Sequence, residues 1–191
     1  KKTGIIKGTS HEITDLPGIY SLSPYSTEEE VSRKFIFEEN PDIIINIIDS
    51  ASLERSLYLT TQLIELDCKV IIALNMVDIL EKKGLYIDEN KLEQVLGVNV
   101  VKISALKGTG IEELIRKIEN KSSKRNVYIY DSKIEQAVAE IENQMMKNIK
   151  NKRFIAVKLL EDDKRFEELK SYKIKNVTID VSQYYETDLE E

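Results

Sequence analysis

The sequence has no tryptophan, one cysteine, one histidine, three prolines and seven glycines in 191 residues. One cysteine cannot build a disulfide framework, which fits a reducing compartment. Cys68 lies in an apolar stretch and reads as a small buried hydrophobe. The lone histidine, His11, falls in a strand before the site, which suits a structural role more than catalysis. No run of 18 apolar residues occurs, so nothing here reads as a transmembrane helix, and no apolar signal segment follows Lys1-Lys2. Basic excess is missing too: the formal net charge is −6. That argues against a nucleic-acid partner, because phosphate backbones demand basic patches.

Apolar residues make up 41% of the chain, enough for a proper core. Short apolar runs alternate with amphipathic ones over residues 1–120. Thr3–Lys7 and His11–Asp15 read as strands around a Gly8-Thr9-Ser10 turn. Asp42–Asp49 (DIIINIID), Lys69–Asn75 (KVIIALN) and Val98–Ser104 read as strands covered on both faces, as in a parallel sheet. Between them lie helical patterns. Thr27 with Glu30 makes a capping box before Val31 and Phe35. Leu53, Leu57, Leu63 and Ile64 mark a second helix. Asp88 caps a third with Leu92, Val95 and Leu96 inward, and Gly97 stops it. Thr109 with Glu112 opens a fourth, with Ile111, Leu114, Ile115 and Ile118 on one stripe. This alternation implies βαβ units and an α/β fold with a mostly parallel sheet.

The polar stretch from Asn120 to Arg125 reads as a linker, dividing a domain at 1–120 from a helical appendage at 121–191. Ser132 with Glu135 suggests another capping box, and Ile134, Val138, Ile141, Met145 and Ile149 one face of a long helix. Met145 and Met146 suit core filling. Arg153–Leu160 and Lys164–Lys170 read as shorter helices. Residues 121–191 carry 14 basic and 14 acidic side chains, so the negative excess belongs to the first 120.

Three short motifs end predicted strands, where open α/β sheets bind ligands. Asp15-Leu16-Pro17-Gly18 offers a carboxylate able to hold Mg²⁺ through a water, and a glycine that lets a backbone N–H approach a phosphate. It would equally make a plain turn. In Asn75-Met76-Val77-Asp78, the Asp78 carboxylate could accept both N1–H and N2–H₂ of guanine, a pair adenine does not present, and Asn75 would tie adjacent loops together. The ordinary alternative is a helix-capping aspartate. Ser104-Ala105-Leu106 could aim a backbone N–H at the guanine O6. Each motif is weak alone. Their order, with 60 residues from Asp15 to Asn75 and 29 more to Ser104, resembles the third, fourth and fifth boxes of the P-loop GTPase superfamily.

Longer runs narrow the resemblance. DLPGIYSLSPYSTEE, LERSLYLTTQL, NMVD, SALKGTGIEEL and the later RFIAVKLLEDD are similar to the ferrous-iron transport protein B family. That resemblance implies a GTPase domain, then a helical domain, on the cytoplasmic face of a membrane. It implies GTP or GDP with Mg²⁺ as ligands, and a transmembrane transport segment of the same polypeptide as partner. GTP hydrolysis would regulate ferrous-iron uptake, with Gly18–Glu30 changing conformation when the terminal phosphate leaves.

Two departures qualify the expectation. No G-x-x-x-x-G-K-[ST] occurs, so the phosphate-cradling loop is absent. In the superfamily its strand lies between those carrying Asp15 and Asp49. Without it two half-sheets should remain, and the chain reads as a fragment unable to hydrolyse GTP alone. Met76 replaces the usual lysine and Ile19 the water-positioning glutamine of many relatives, which implies loose binding and slow hydrolysis. Alternatives are a soluble GTPase of ribosome or tRNA maturation, for which a basic appendage is expected, and a degenerate, non-catalytic guanine-binding module.

Overall fold

A computed structural model describes residues 2–6, 9–22, 27–120, 130–163 and 166. They fall into two compact units: Lys1–Ile64 with Cys68–Tyr128, and Glu65–Asp67 with Ile129–Glu191.

In the first unit, β1 (Lys2–Ile6) and β2 (Thr9–Ile13) form an antiparallel pair, with Lys2 opposite Ile13 and Ile6 opposite Thr9. Thr9 and Ser10, expected in the turn, are the first residues of β2. A separate parallel sheet runs in the order β3 (Ile43–Asp49), β4 (Lys69–Asn75), β5 (Asn99–Lys102). Helix α1 (Thr27–Glu39) precedes it. Helix α2 (Leu53–Ile64) connects β3 to β4; α3 (Val77–Lys82) and α4 (Glu89–Leu96) connect β4 to β5; α5 (Ile111–Glu119) follows.

Strand β4 shows why a continuous apolar run means a central strand. Ile72 and Leu74 join Ile48, Leu96 and Val100 on one face, backed by Leu53, Leu57 and Leu92. Ile71 and Ala73 join Val101 and Ile103 on the other, backed by Leu114 and Ile118 of α5. Lys69 at its start donates to the carbonyls of Lys117 and Asn120, closing the last turn of α5.

Strand β3 departs from expectation. Its apolar run is as dense, yet Ile45 and Ile47 are 39% and 66% exposed. It pairs only with β4 among the described residues, and the opposite face carries the burial, with Ile48 and with Asn46 bonded to Thr60 Oγ1 at 2.8 Å. The expected division into two half-sheets is thus what the described residues form.

Helix ends follow backbone geometry more than sequence boxes. Asp88 caps α4 through the Lys91 N–H, and Gly97 ends it at φ +67°, both as expected. Val95, however, is exposed. Helix α5 has no side-chain cap: its N-cap is Gly110 at φ +79°, not Thr109. The inward residues of α1 are Ser32 and Ile36, whereas Val31 is exposed. Cys68 is half-buried, less enclosed than its apolar surroundings suggest.

In the second unit, α6 (Ser132–Gln144) starts one residue earlier than the expected box. Asp131 is the cap, accepting from the Lys133 N–H, while Glu135 accepts from the Tyr130 N–H. The helix ends at Gln144, so Ile149 lies beyond it; Met145 is buried and Met146 is exposed. Helix α7 (Lys152–Leu160) buries Phe154 and Ala156. Arg153 forms a two-pronged ion pair with Glu135 at 2.9 and 2.7 Å and a second pair with buried Glu65 at 2.5 Å. Asp67 and Asn151 exchange backbone-to-side-chain bonds at 2.6 and 2.5 Å. Lys164–Lys170, expected as a helix, lies almost wholly outside the described residues.

Candidate functional site

Asn75 is the last residue of β4, and its side chain crosses to the next strand's loop. Its Oδ1 accepts from the Ala105 N–H at 3.0 Å. The fourth- and fifth-box residues are therefore brought together by one bond. After Asn75 the chain turns sharply. Met76 adopts the left-handed conformation at φ 63°, and its carbonyl receives the Ile79 N–H at 3.0 Å as α3 begins. Only a few per cent of non-glycine residues sit there. The turn buries Val77 against the sheet core, half-exposes Met76, and puts Asp78 in the first turn of α3. Asp78 is thus not the helix cap that the ordinary alternative supposed.

The β5–α5 loop is built as tightly. Ser104 is buried, and its N–H donates to Thr109 O at 3.1 Å. Its carbonyl receives the N–H groups of Lys107 at 3.2 Å and Gly108 at 2.8 Å. Gly110 is forced at the helix entrance: a Cβ there would lie 2.0 Å from Lys102 O. Leu106 projects outward, 92% exposed.

The Asp78 side chain is only 15% exposed, and Lys107 Nζ lies 3.2 Å from its Oδ2. The lysine's hydrogen bond, aided by the Ser104 hydroxyl, holds the Asp78 carboxyl below its ordinary value. The carboxylate is a pure acceptor at neutral pH, already facing two donors.

Asp15 and Gly18 stand apart from this group in the loop after β2, and both are exposed; Leu16 is half-buried. A Cβ on Gly18 would meet nothing within 4 Å. The loop is tied down at other points. Pro17 O accepts from Ser32 Oγ at 3.0 Å. Farther on, Gln62 Oε1 accepts from the Leu22 N–H at 2.6 Å and from Ser21 Oγ at 3.3 Å. Arg55 stacks over the Tyr20 ring at 3.8 Å. Residues 23–26 of the expected switch segment lie outside the described residues.

Sequence reasoning missed Lys107, Gln62, Ser32 and Arg55. One signal was available for Gln62: a glutamine on the inward stripe of an apolar helix must find a partner. For Lys107 there was none, since a lysine in a glycine-flanked loop reads as solvated.

The family model described as ferrous iron transport protein B matches residues 1–118, and that of the FeoB cytosolic helical domain matches residues 130–191. The chain is 43% identical over 165 residues to an Fe(2+) transport protein A/Fe(2+) transporter FeoB fusion protein of Porphyromonas gingivalis, covering 80% of this chain and 20% of that protein. It is 35% identical over 173 residues to the Fe(2+) transporter FeoB of Escherichia coli K12, covering 85% and 22%. The chain spans about a fifth of the length of these curated relatives. Among solved structures, mGMPPNP-bound NFeoB from S. thermophilus is similar at TM-score 0.79 and 38% identity, covering 97% of this chain and 71% of that one. The cytosolic domain of the T. maritima FeoB iron transporter in a GDP form is similar at TM-score 0.78 and 30% identity, covering 97% and 76%. Among the described residues no helix is long and apolar enough to cross a membrane. The ordered series of strand-end motifs, the parallel sheet that carries two of them, and these matches agree: the chain belongs to the ferrous iron transport protein B family.

Proposed function

We propose that this chain is the guanine-nucleotide-binding switch region of a ferrous-iron transporter. It would act at the cytoplasmic face of the membrane and be continuous with a transmembrane transport segment. The observation that carries this reading is the bond from Ala105 N–H to Asn75 Oδ1, beside the ionised Asp78 carboxylate. A purine edge entering there would meet a rigid acceptor for N1–H and N2–H₂. The Ala105 region would lie toward O6, and the stem of Met76 would cover the ring. Such a site discriminates strongly, because the wrong base leaves a polar group unpaired.

Asp15 suits Mg²⁺ as a hard oxygen donor acting through a water. Among the described residues no group of three acidic, His or Cys side chains could hold a metal unaided. The ion would therefore depend on the nucleotide phosphates, and would supply charge neutralisation there. Ser32 and Gln62 would hold the 17–22 segment in the conformation described.

The sequence contains no phosphate-cradling motif, so we expect no GTP hydrolysis by this chain alone. A second reading is a guanine-binding module without catalysis, for which guanosine, GDP and GTP bind almost equally. Titration of the three ligands with Asp78→Asn as control tests the site. The variant should lose guanine affinity on the order of 10- to 100-fold, as when a charged hydrogen-bond partner is removed. Unchanged affinity would refute the assignment of Asp78.

A further inference from the structure

We propose that Lys107 is an internal competitor for the base-reading carboxylate: its ammonium occupies Asp78, and guanine must displace it. This rests on the reading of Asp78 just given.

The geometry favours a displaceable partner. The backbone around Lys107 is fixed by its own N–H bond to Ser104 O, the Gly108 bond to the same oxygen, and the Ser104–Thr109 bond. Only the side chain is free to swing, and it is 51% exposed whereas Asp78 is 15% exposed. The carboxylate is thus a fixed acceptor, and the lysine a tethered cation that water readily accepts. Lys107 Nζ at 3.2 Å from Oδ2, together with the Ser104 hydroxyl, offers two donors to one carboxylate. A guanine Watson–Crick edge presents the same number of donors. Bidentate recognition needs one guanine donor on each carboxylate oxygen, so the ammonium on Oδ2 stands where one of them must go, and the lysine has the easier exit.

The ion pair also explains how an acceptor this enclosed stays ionised. A half-buried carboxylate with no donors would pay a desolvation cost. Lys107 offsets it, and the guanine donors take over that role on binding. The consequence is weaker base affinity than the site geometry alone would give, a property suited to a switch that must release its nucleotide.

The test uses the full 191-residue chain and guanosine, whose neutrality removes phosphate electrostatics, with adenosine as control. Binding is followed by amide chemical shifts of Asn75, Ala105 and Ile79. An exposed ion pair contributes modestly, so Lys107→Met should bind guanosine about two- to fivefold more tightly than the parent chain. Salt provides an independent sign. Screening weakens the competing pair, so parental guanosine affinity should rise with ionic strength while that of Lys107→Met stays flat. Lys107→Arg, which grips a carboxylate with two prongs, should bind guanosine no more tightly than the parent. Equal or weaker binding by Lys107→Met, or matching salt slopes, would overturn the competition. If Asp78→Asn still abolishes guanosine preference in that case, the base-site reading stands and only the role of Lys107 falls. If guanosine and adenosine bind the parent alike, the base-site reading falls and takes this inference with it.

Discussion

Gly110 allows a sharp test of how the β5–α5 loop is built. Alanine there meets two obstacles. Its φ of +79° lies in the left-handed region, which costs an L-residue roughly 1–2 kcal/mol. Its Cβ would also sit 2.0 Å from Lys102 O and 3.0 Å from the carbon of that carbonyl. Those atoms are backbone at the end of β5, so no rotamer relieves the contact; strand and loop must separate by about an ångström. That movement strains the Ser104–Thr109 bond and the Asn75–Ala105 bond that joins the two motif loops. Gly108 is the matched control, with φ +70° and nothing within 4 Å of an added Cβ. Gly108→Ala should therefore cost only the conformational term, about 1–2 kcal/mol. Gly110→Ala should cost about 3–5 kcal/mol, in the range of severe steric replacements. Hydrogen exchange of the β4 amides reads this unit's stability separately from the helical unit. A difference below about 0.5 kcal/mol between the variants, within the usual range for a harmless surface change, would refute the claim that close packing holds this loop.

Other outcomes follow from the remaining contacts. Gln62→Leu removes the acceptor of the buried Leu22 N–H, at a cost of about 1–3 kcal/mol; Leu22 amide exchange should accelerate with β4 unaffected. Glu135 is held below its ordinary value chiefly by the Arg153 hydrogen bond. A lowered folded value means stability present above the unfolded carboxyl pKa and lost as pH falls through the folded one. Burial raises Glu65, which has the opposite sign: its cost is absent at low pH and incurred as pH rises. Glu135→Gln should thus flatten the acid limb of the helical unit's stability, read by urea titration from pH 6 downward, and an unchanged acid limb would contradict the ion-pair account.

The site was legible to the extent that its residues are fixed by position along strands. Asn75 and Ser104 end or follow strands whose apolar runs are unmistakable, so their placement at one sheet edge follows from the parallel order. What joins them is the tie between adjacent loops that the sequence assigns to Asn75, and only the fold names the Ala105 N–H as its partner. Thr109 and Ser132 did not reveal that Gly110 and Asp131 would be the caps, because capping depends on where the chain can turn. In α1, the helical repeat allowed either Val31 with Phe35 or Ser32 with Ile36 to face inward. The bond from Ser32 to Pro17 O is part of what the inward stripe makes.

By itself the sequence determined the α/β class, the helical second part and the ordered motifs. These depend on residue type and short-range period, which tertiary contacts do not rewrite. Tertiary structure alone decided which stripe of α1 turns inward. It also decided that Lys107 sits on Asp78. Burial and ion pairing are properties of what packs alongside, and a chain read in one dimension does not contain its neighbours.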